Sequence, residues 1–271
     1  MINPSPYRTI AVASTFSPRF VHVLAEAKRI RDRFSSELHL IYVGDKTDET
    51  TRRFREVLGQ LSLPLDSTIH YQQGEPAAGI LAALATGKID MIVAGALEKE
   101  VVLHQFLGTV ARSLVREAKC SLMLFTRPEN EPKPLRRIVF VADYSDHGRE
   151  ALQRTFQLAL AESCERLYVI RIITTFDQAR AALEAETKTK TPDDEEAELE
   201  KFVLSAGTTE VPIEARCLRG NTGFAIADFV QSVEADLLAV PVQRSGDGEQ
   251  SLPNNVAWLT DVIPCNLWII R

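Results

Sequence analysis

The chain has 271 residues, 45% of them hydrophobic and 25% charged, which suits a globular protein of two domains of about 130 residues each. A formal net charge of −6, with no stretch rich in Lys or Arg, argues against a nucleic-acid binder. No apolar run approaches the ~20 residues of a membrane span, the N-terminus lacks a signal pattern, and Cys120, Cys164, Cys217 and Cys265 show neither C-x-x-C spacing nor a disulfide framework. A cytoplasmic protein with buried free thiols is expected.

Along the chain, Arg8 to Ala13 reads as a buried strand. An amphipathic helix follows, with Val21, Leu24, Ala25, Ala27 and Ile30 at helical spacing. Next come a strand over Leu38–Val43, a helix over Thr51–Leu61, a strand over Thr68–Tyr71 that ends near Gly74, and a short helix over Ala77–Ala85. A strongly apolar strand, Met91–Ala94, leads through a loop and another helix to a last strand, Ser121–Phe125. Residues 127–134 hold three prolines among charges and read as an exposed linker, giving domains 1–131 and 132–271.

The order then repeats, with strands over Arg136–Val141, Leu167–Ile172, Ile213–Cys217, Leu237–Val240 and Asn266–Ile270. Helices are expected over Glu195–Leu204 and Ala225–Val233. Landmarks align in sequence: Ile10 with Ile138, Gly74 with Gly220, Asp90 with Asp236 and Cys120 with Cys265. The later pairs are further apart than the first, which places an insertion after Phe176, in a helical stretch leading into the polar segment from Thr187 to Asp194. Pro192 is expected to break a helix there. Alternating strands and helices imply parallel pairing with right-handed crossovers, hence two doubly wound α/β domains, and the continuous apolar runs suit sheets covered on both faces.

Asp90 to Gly95, then Gly108-Thr109-Val110-Ala111, then Cys120 to Leu124, resemble the signature of the universal stress protein family. The resemblance covers nearly the whole chain, twice. It implies an open five-stranded parallel sheet flanked by helices in each domain, of the adenine-nucleotide alpha-hydrolase-like kind. It also implies that the two domains pack as a pseudo-dimer, with Phe125 and Trp268 at the paired edge strands, and a further homodimer of the whole chain is compatible with it. ATP-binding members carry G-x2-G-x9-G-(S/T) after the fourth strand and an aspartate after the first. Physically, such glycines let the backbone approach a phosphate, and a following helix start supplies N–H donors. The crevice in such a sheet lies beyond the strand C-termini.

Neither half carries the whole apparatus. In the first, Gly95, Gly108 and Thr109 keep the spacing, but Glu98 replaces the middle glycine and Thr15 stands where the aspartate belongs. A carboxylate near a phosphate costs about 1–4 kcal/mol, which Lys99 and His104 could offset. Without a ligand, Thr109 would still serve as a helix N-cap after a loop glycine. In the second, Asp143 matches the aspartate, while Pro241, Arg244 and Asn254-Asn255 replace the signature, and Gly246-Asp247-Gly248 is out of register. Asp143 alone reads as a loop-capping carboxylate.

The five histidines show no metal spacing, and the acidic run from Asp193 to Glu196 reads as a solvated helix start. No nucleophile turn or Walker loop occurs. The expected function is a non-enzymatic stress-response scaffold or regulator with decayed nucleotide sites and an unidentified protein partner. The alternative is an ATP sensor in the N-terminal domain, with slow hydrolysis at most. A third reading fills the same crevice with an apolar or phosphate-poor ligand.

Overall fold

The computed structural model describes residues 5–96, 108–174, 191–243 and 264–271. The chain divides into two compact units, Met1–Lys133 and Pro134–Arg271. Strands and helices alternate through the first: β1 (Thr9–Ser14), α1 (Phe20–Phe34), β2 (Glu37–Val43), α2 (Asp48–Gln60), β3 (Ile69–Gln72), α3 (Pro76–Thr86), β4 (Met91–Gly95), α4 (Thr109–Glu117) and β5 (Ser121–Phe125). All its strand pairs are parallel, in the order β3-β2-β1-β4-β5. The order reverses at β1, which lies between β2 and β4, so the crevice of this unit opens between the C-terminal ends of β1 and β4.

Local chemistry explains the elements. Ile10, Val12, Met91, Ile92 and Val93 are fully buried, as the central strands of a sheet covered on both faces must be. Helix α1 turns Val23, Leu24, Ala27, Ile30 and Phe34 inward at helical spacing. It stops at Ser35, whose left-handed φ of 52° ends the helix, with Arg31 and Arg33 beside the negative pole of the last turn. Helix α2 starts at a reciprocal cap between Thr47 and Thr50 and buries Phe54 and Leu58, each worth about 1.5–3 kcal/mol.

The second unit repeats the pattern with β6 (Arg137–Val141), α5 (Asp146–Ala161), β7 (Arg166–Ile173), α6 (Pro192–Ser205), β8 (Ile213–Arg219), α7 (Thr222–Ser232), β9 (Leu237–Pro241) and β10 (Asn266–Ile270). Its parallel order is β8-β7-β6-β9-β10. Pro192 begins a helix, as the first residue of α6 after a reciprocal cap between Thr191 and Asp194, and the extended backbone of Thr191 means that no helix runs through this point. Proline lacks only an N–H that would go unpaired at that position anyway. The acidic residues Asp193, Asp194 and Glu195 occupy the first turn, where the helix dipole favours them. The stretch after Phe176 through Lys190 lies outside the described residues.

The aligned aspartates perform one task twice. Asp90 Oδ2 accepts from the N–H groups of Arg8 (2.8 Å) and Thr9 (3.0 Å), and the Asp90 N–H donates to Thr9 O. Asp236 Oδ2 accepts likewise from Arg136 (2.7 Å) and Arg137 (2.8 Å), and its N–H donates to Arg137 O. Each carboxylate fastens the start of its unit's first strand to the start of the fourth, at the end of the sheet away from the crevice.

All four cysteines are free. Cys164 is buried, which pushes its thiol up to about 11, burial likewise raises the Cys265 thiol well above its ordinary value, and Cys120 and Cys217 are only half-buried, contrary to expectation. Two histidines bond to each other, His39 Nδ1 to His70 Nε2 at 3.0 Å, and His147 Nε2 bonds Ile270 O at 3.0 Å. Among the described residues no helix is long and apolar enough to cross a membrane, and no group of three or more His, Cys, Asp or Glu could hold a metal.

Candidate functional site

Strand β1 runs out at Ser14, whose buried hydroxyl donates to Ile41 O at 2.6 Å and anchors the strand end to β2. The chain then turns sharply, with the Ser17 N–H donating to Thr15 O at 2.6 Å and the Thr15 hydroxyl bonded to Ser17 Oγ at 3.1 Å. This turn sets Phe16 into an aromatic cluster, with ring centroids 4.7 Å from Phe54, 5.1 Å from Tyr42 and 6.4 Å from Phe20. From α2 the Arg53 guanidinium lies over the Phe16 ring, 4.3 Å from its centroid, a cation–π contact. Neighbouring Glu49 is engaged elsewhere, with Arg52 at 2.6 Å.

At the end of β4, Gly95 sits where a Cβ would stand only 2.9 Å from Val23 Cγ2, so a side chain here would push on α1. Gly108 is the N-cap of α4, with extended backbone and no side-chain cap bond, and Thr109 is the exposed first helical residue. The cap is therefore one residue earlier than expected, and glycine fills it at little cost. A cavity of about 600 Å³ opens between these elements. That falls within the range of small-molecule sites.

Thr15, Gly95 and Gly108 line the cavity together; Thr109 does not, and Asp143 belongs to the other unit. Most of its wall is apolar, from Phe16, Phe20, Val23, Tyr42, Val43, Ile80, Ala94 and Leu114. Its charged lining residues are Arg19 and Arg53, with no carboxylate among the described ones. The sequence reading missed both arginines and the aromatic wall. Arg53 comes from a helix that no part of the signature touches, and only the parallel crossover brings it to the crevice. Glu98, Lys99 and His104 lie outside the described residues.

In the second unit, Asp143 Oδ1 accepts from the Ser145 N–H (3.0 Å) and hydroxyl (2.8 Å). Ser145 Oγ in turn accepts from the Gly148 N–H at 2.9 Å as the N-cap of α5. The carboxylate so fills the space beside Gly148 that a Cβ there would collide with Asp143 Oδ1. Tyr144 adopts a left-handed φ of 61°, held between Phe202 (5.3 Å) and the Arg171 guanidinium (4.8 Å), while Arg171 Nη1 donates to Ala142 O at 3.1 Å. Burial raises the Tyr144 phenol pKa well above its ordinary value, so it stays protonated. Pro241, which replaces the signature glycine, is a buried strand residue. Arg244, Gly246-Asp247-Gly248 and Asn254-Asn255 lie outside the described residues.

The sequence model of the Universal stress protein family matches residues 60–126 and again 134–271. Among solved structures, a functionally unknown protein from Pseudomonas aeruginosa PAO1 superposes with a TM-score of 0.71 at 17% identity, over 97% of this chain and 92% of that one. A protein from Pseudomonas aeruginosa UCBPP-PA14, provisionally described as a universal stress protein, gives 0.73 at 16% identity over 99% and 95%. A universal stress protein from Archaeoglobus fulgidus gives 0.68 at 13% identity over 99% of both chains. At such identities the likeness shows the fold. None of the curated proteins compared matches the chain.

Proposed function

Because the chain belongs to the universal stress protein family and carries its domain twice, we propose that it is a non-enzymatic, cytoplasmic binding protein whose N-terminal unit takes up an adenine nucleotide. The observation that carries this reading is the cavity of about 600 Å³ between the ends of β1 and β4, walled by aromatic and aliphatic side chains and carrying two arginines. Flat apolar walls suit a purine ring, and guanidinium groups suit phosphate oxygens. Gly108 leaves the start of α4 without a side chain that would compete for its N–H groups.

The C-terminal unit is assigned the scaffold role. Its Asp143 is spent on capping α5, and Pro241 replaces the glycine that would admit a phosphate. Occupancy of one unit, read by a protein partner, then provides the signal.

The test is calorimetric titration of the whole chain with AMP, and with ATP in the presence of magnesium, beside a Gly108→Trp variant that fills the crevice mouth. Saturable heat from the unmodified chain that vanishes in a folded variant is the expected result. No saturable heat from either nucleotide at millimolar concentration would refute the nucleotide reading and leave the whole chain a scaffold.

A further inference from the structure

Resting on the reading that the N-terminal crevice binds an adenine nucleotide, we infer that it is built for one with a second phosphate on its ribose. The ligand class is an adenosine bisphosphate, with phosphomonoesters at the 5′ position and at the 2′ or 3′ position. The crevice has two flanks, because β1 lies between β2 and β4. With neighbouring strands about 4.8 Å apart, the ends of the two outer ones stand roughly 10 Å from each other. On the β4 flank, Gly95 and Gly108 line the cavity, and the N–H groups at the start of α4 are the donors for the 5′-phosphate. On the β2 flank the lining is Phe16, Tyr42, Val43 and Arg53. A nucleotide held by its 5′-phosphate at α4 therefore carries its ribose and base across β1 toward the aromatic residues and Arg53. Of the substituents that a ribose can present there, a phosphomonoester suits a guanidinium best, with its charge of about −1.5 to −2 at pH 7. Dinucleotide-binding sheets of the same doubly wound kind use a nearby arginine for a ribose 2′-phosphate.

The setting of Arg53 fits this task. Its guanidinium lies over the Phe16 ring, 4.3 Å from the centroid. Such a stack engages the face of the guanidinium, whereas its N–H donors lie in the plane and stay available to a phosphate fork. Phe16 is itself fixed by Phe54 at 4.7 Å and Tyr42 at 5.1 Å, so the cation rests on a packed base and gives up few rotamers on binding. The carboxylates one turn before and after it on α2, Glu49 and Glu56, are bonded to its neighbour Arg52, at 2.6 Å and 3.2 Å.

The experiment titrates the intact chain with adenosine 3′,5′-bisphosphate, adenosine 2′,5′-bisphosphate, ADP and AMP, and repeats the series on Arg53→Gln. The first three ligands are isomers, so they differ only in where the second phosphoryl group sits. The expected result is one bisphosphate binding at least about tenfold tighter than both ADP and AMP, and which of the two does so identifies the ribose position. In Arg53→Gln that advantage should disappear. Arg53 is exposed on α2, so the variant should keep the fold, which a melting curve close to that of the unmodified chain would verify. If neither bisphosphate binds tighter than ADP, the bisphosphate assignment is overturned while the nucleotide reading stands. An advantage that survives in Arg53→Gln would overturn the role of this arginine. Failure of all four ligands would overturn the nucleotide reading itself.

Discussion

Substitution of Gly148 by alanine separates two roles for Asp143 in one measurement. In a helix, Gly→Ala ordinarily stabilises by about 1 kcal/mol. At Gly148 the added methyl group meets the Asp143 carboxylate, which must then leave its place. The displacement breaks the bonds from the Ser145 N–H and hydroxyl to Asp143 and loosens the Ser145 cap on the Gly148 N–H. Hydrogen bonds to a charged group are worth about 1.5–3 kcal/mol when buried and less when half-exposed, and a lost cap costs about 1 kcal/mol. Subtracting the propensity gain leaves a net destabilisation of about 1–3 kcal/mol. Urea unfolding of the whole chain, followed by fluorescence and circular dichroism, reports it as a lower midpoint for the transition of the second unit. The same substitution in an Asp143→Ala background should turn neutral or stabilising, because nothing is left to collide with. Equal destabilisation in both backgrounds, or none in either, would refute the argument that this carboxylate is a structural cap.

Phe54→Ala removes the fully buried hub of the aromatic cluster and should cost about 3–5 kcal/mol in the first unit, read as a lowered urea midpoint. Burial first, and then the neighbouring His39, hold the His70 pKa below its ordinary 6.5, so the unfolded chain takes up a proton there before the folded one does. Stability from this pair is complete above about pH 6.5 and is lost as pH falls from there through the lower folded value. A urea midpoint series between pH 7.5 and 5 should therefore slope downward toward acid, and His70→Gln should flatten the slope.

The sequence disclosed the sheet more fully than the crevice. Ser121–Phe125 and Asn266–Ile270 emerge with the bounds expected of them, because an apolar run bounded by polar residues leaves little freedom in where a buried strand can start or stop. Helix starts were harder. At Pro192 and at Gly108 several residues could begin or cap the helix, and composition alone does not choose among them; the choice fell to whichever hydroxyl or backbone reached its partner. Thr15, Gly95 and Gly108 could be placed together from motif spacing, since strand ends in a parallel sheet meet at one edge. Arg53, Phe16 and Tyr42 could not, because they reach the cavity from a helix, a turn and a second strand whose convergence depends on packing. The cap at Asp143 did leave a trace in the chain, a serine two residues further on, the pattern of a carboxylate that turns back on its own backbone.

The carboxylate clamp at the foot of each sheet bears on how the protein is made. The amides at the start of β1 wait for Asp90, 81 and 82 residues downstream, and those at the start of β6 wait for Asp236, 99 and 100 residues downstream. A ribosome adding about 5–20 residues per second needs roughly 4–20 s to supply either partner. Until then the innermost strand of the nascent unit has its opening amides unfastened, and they are free to pair with the wrong neighbour. Translation speed before codon 90, and again before codon 236, is therefore a quantity to which the yield of folded chain should respond.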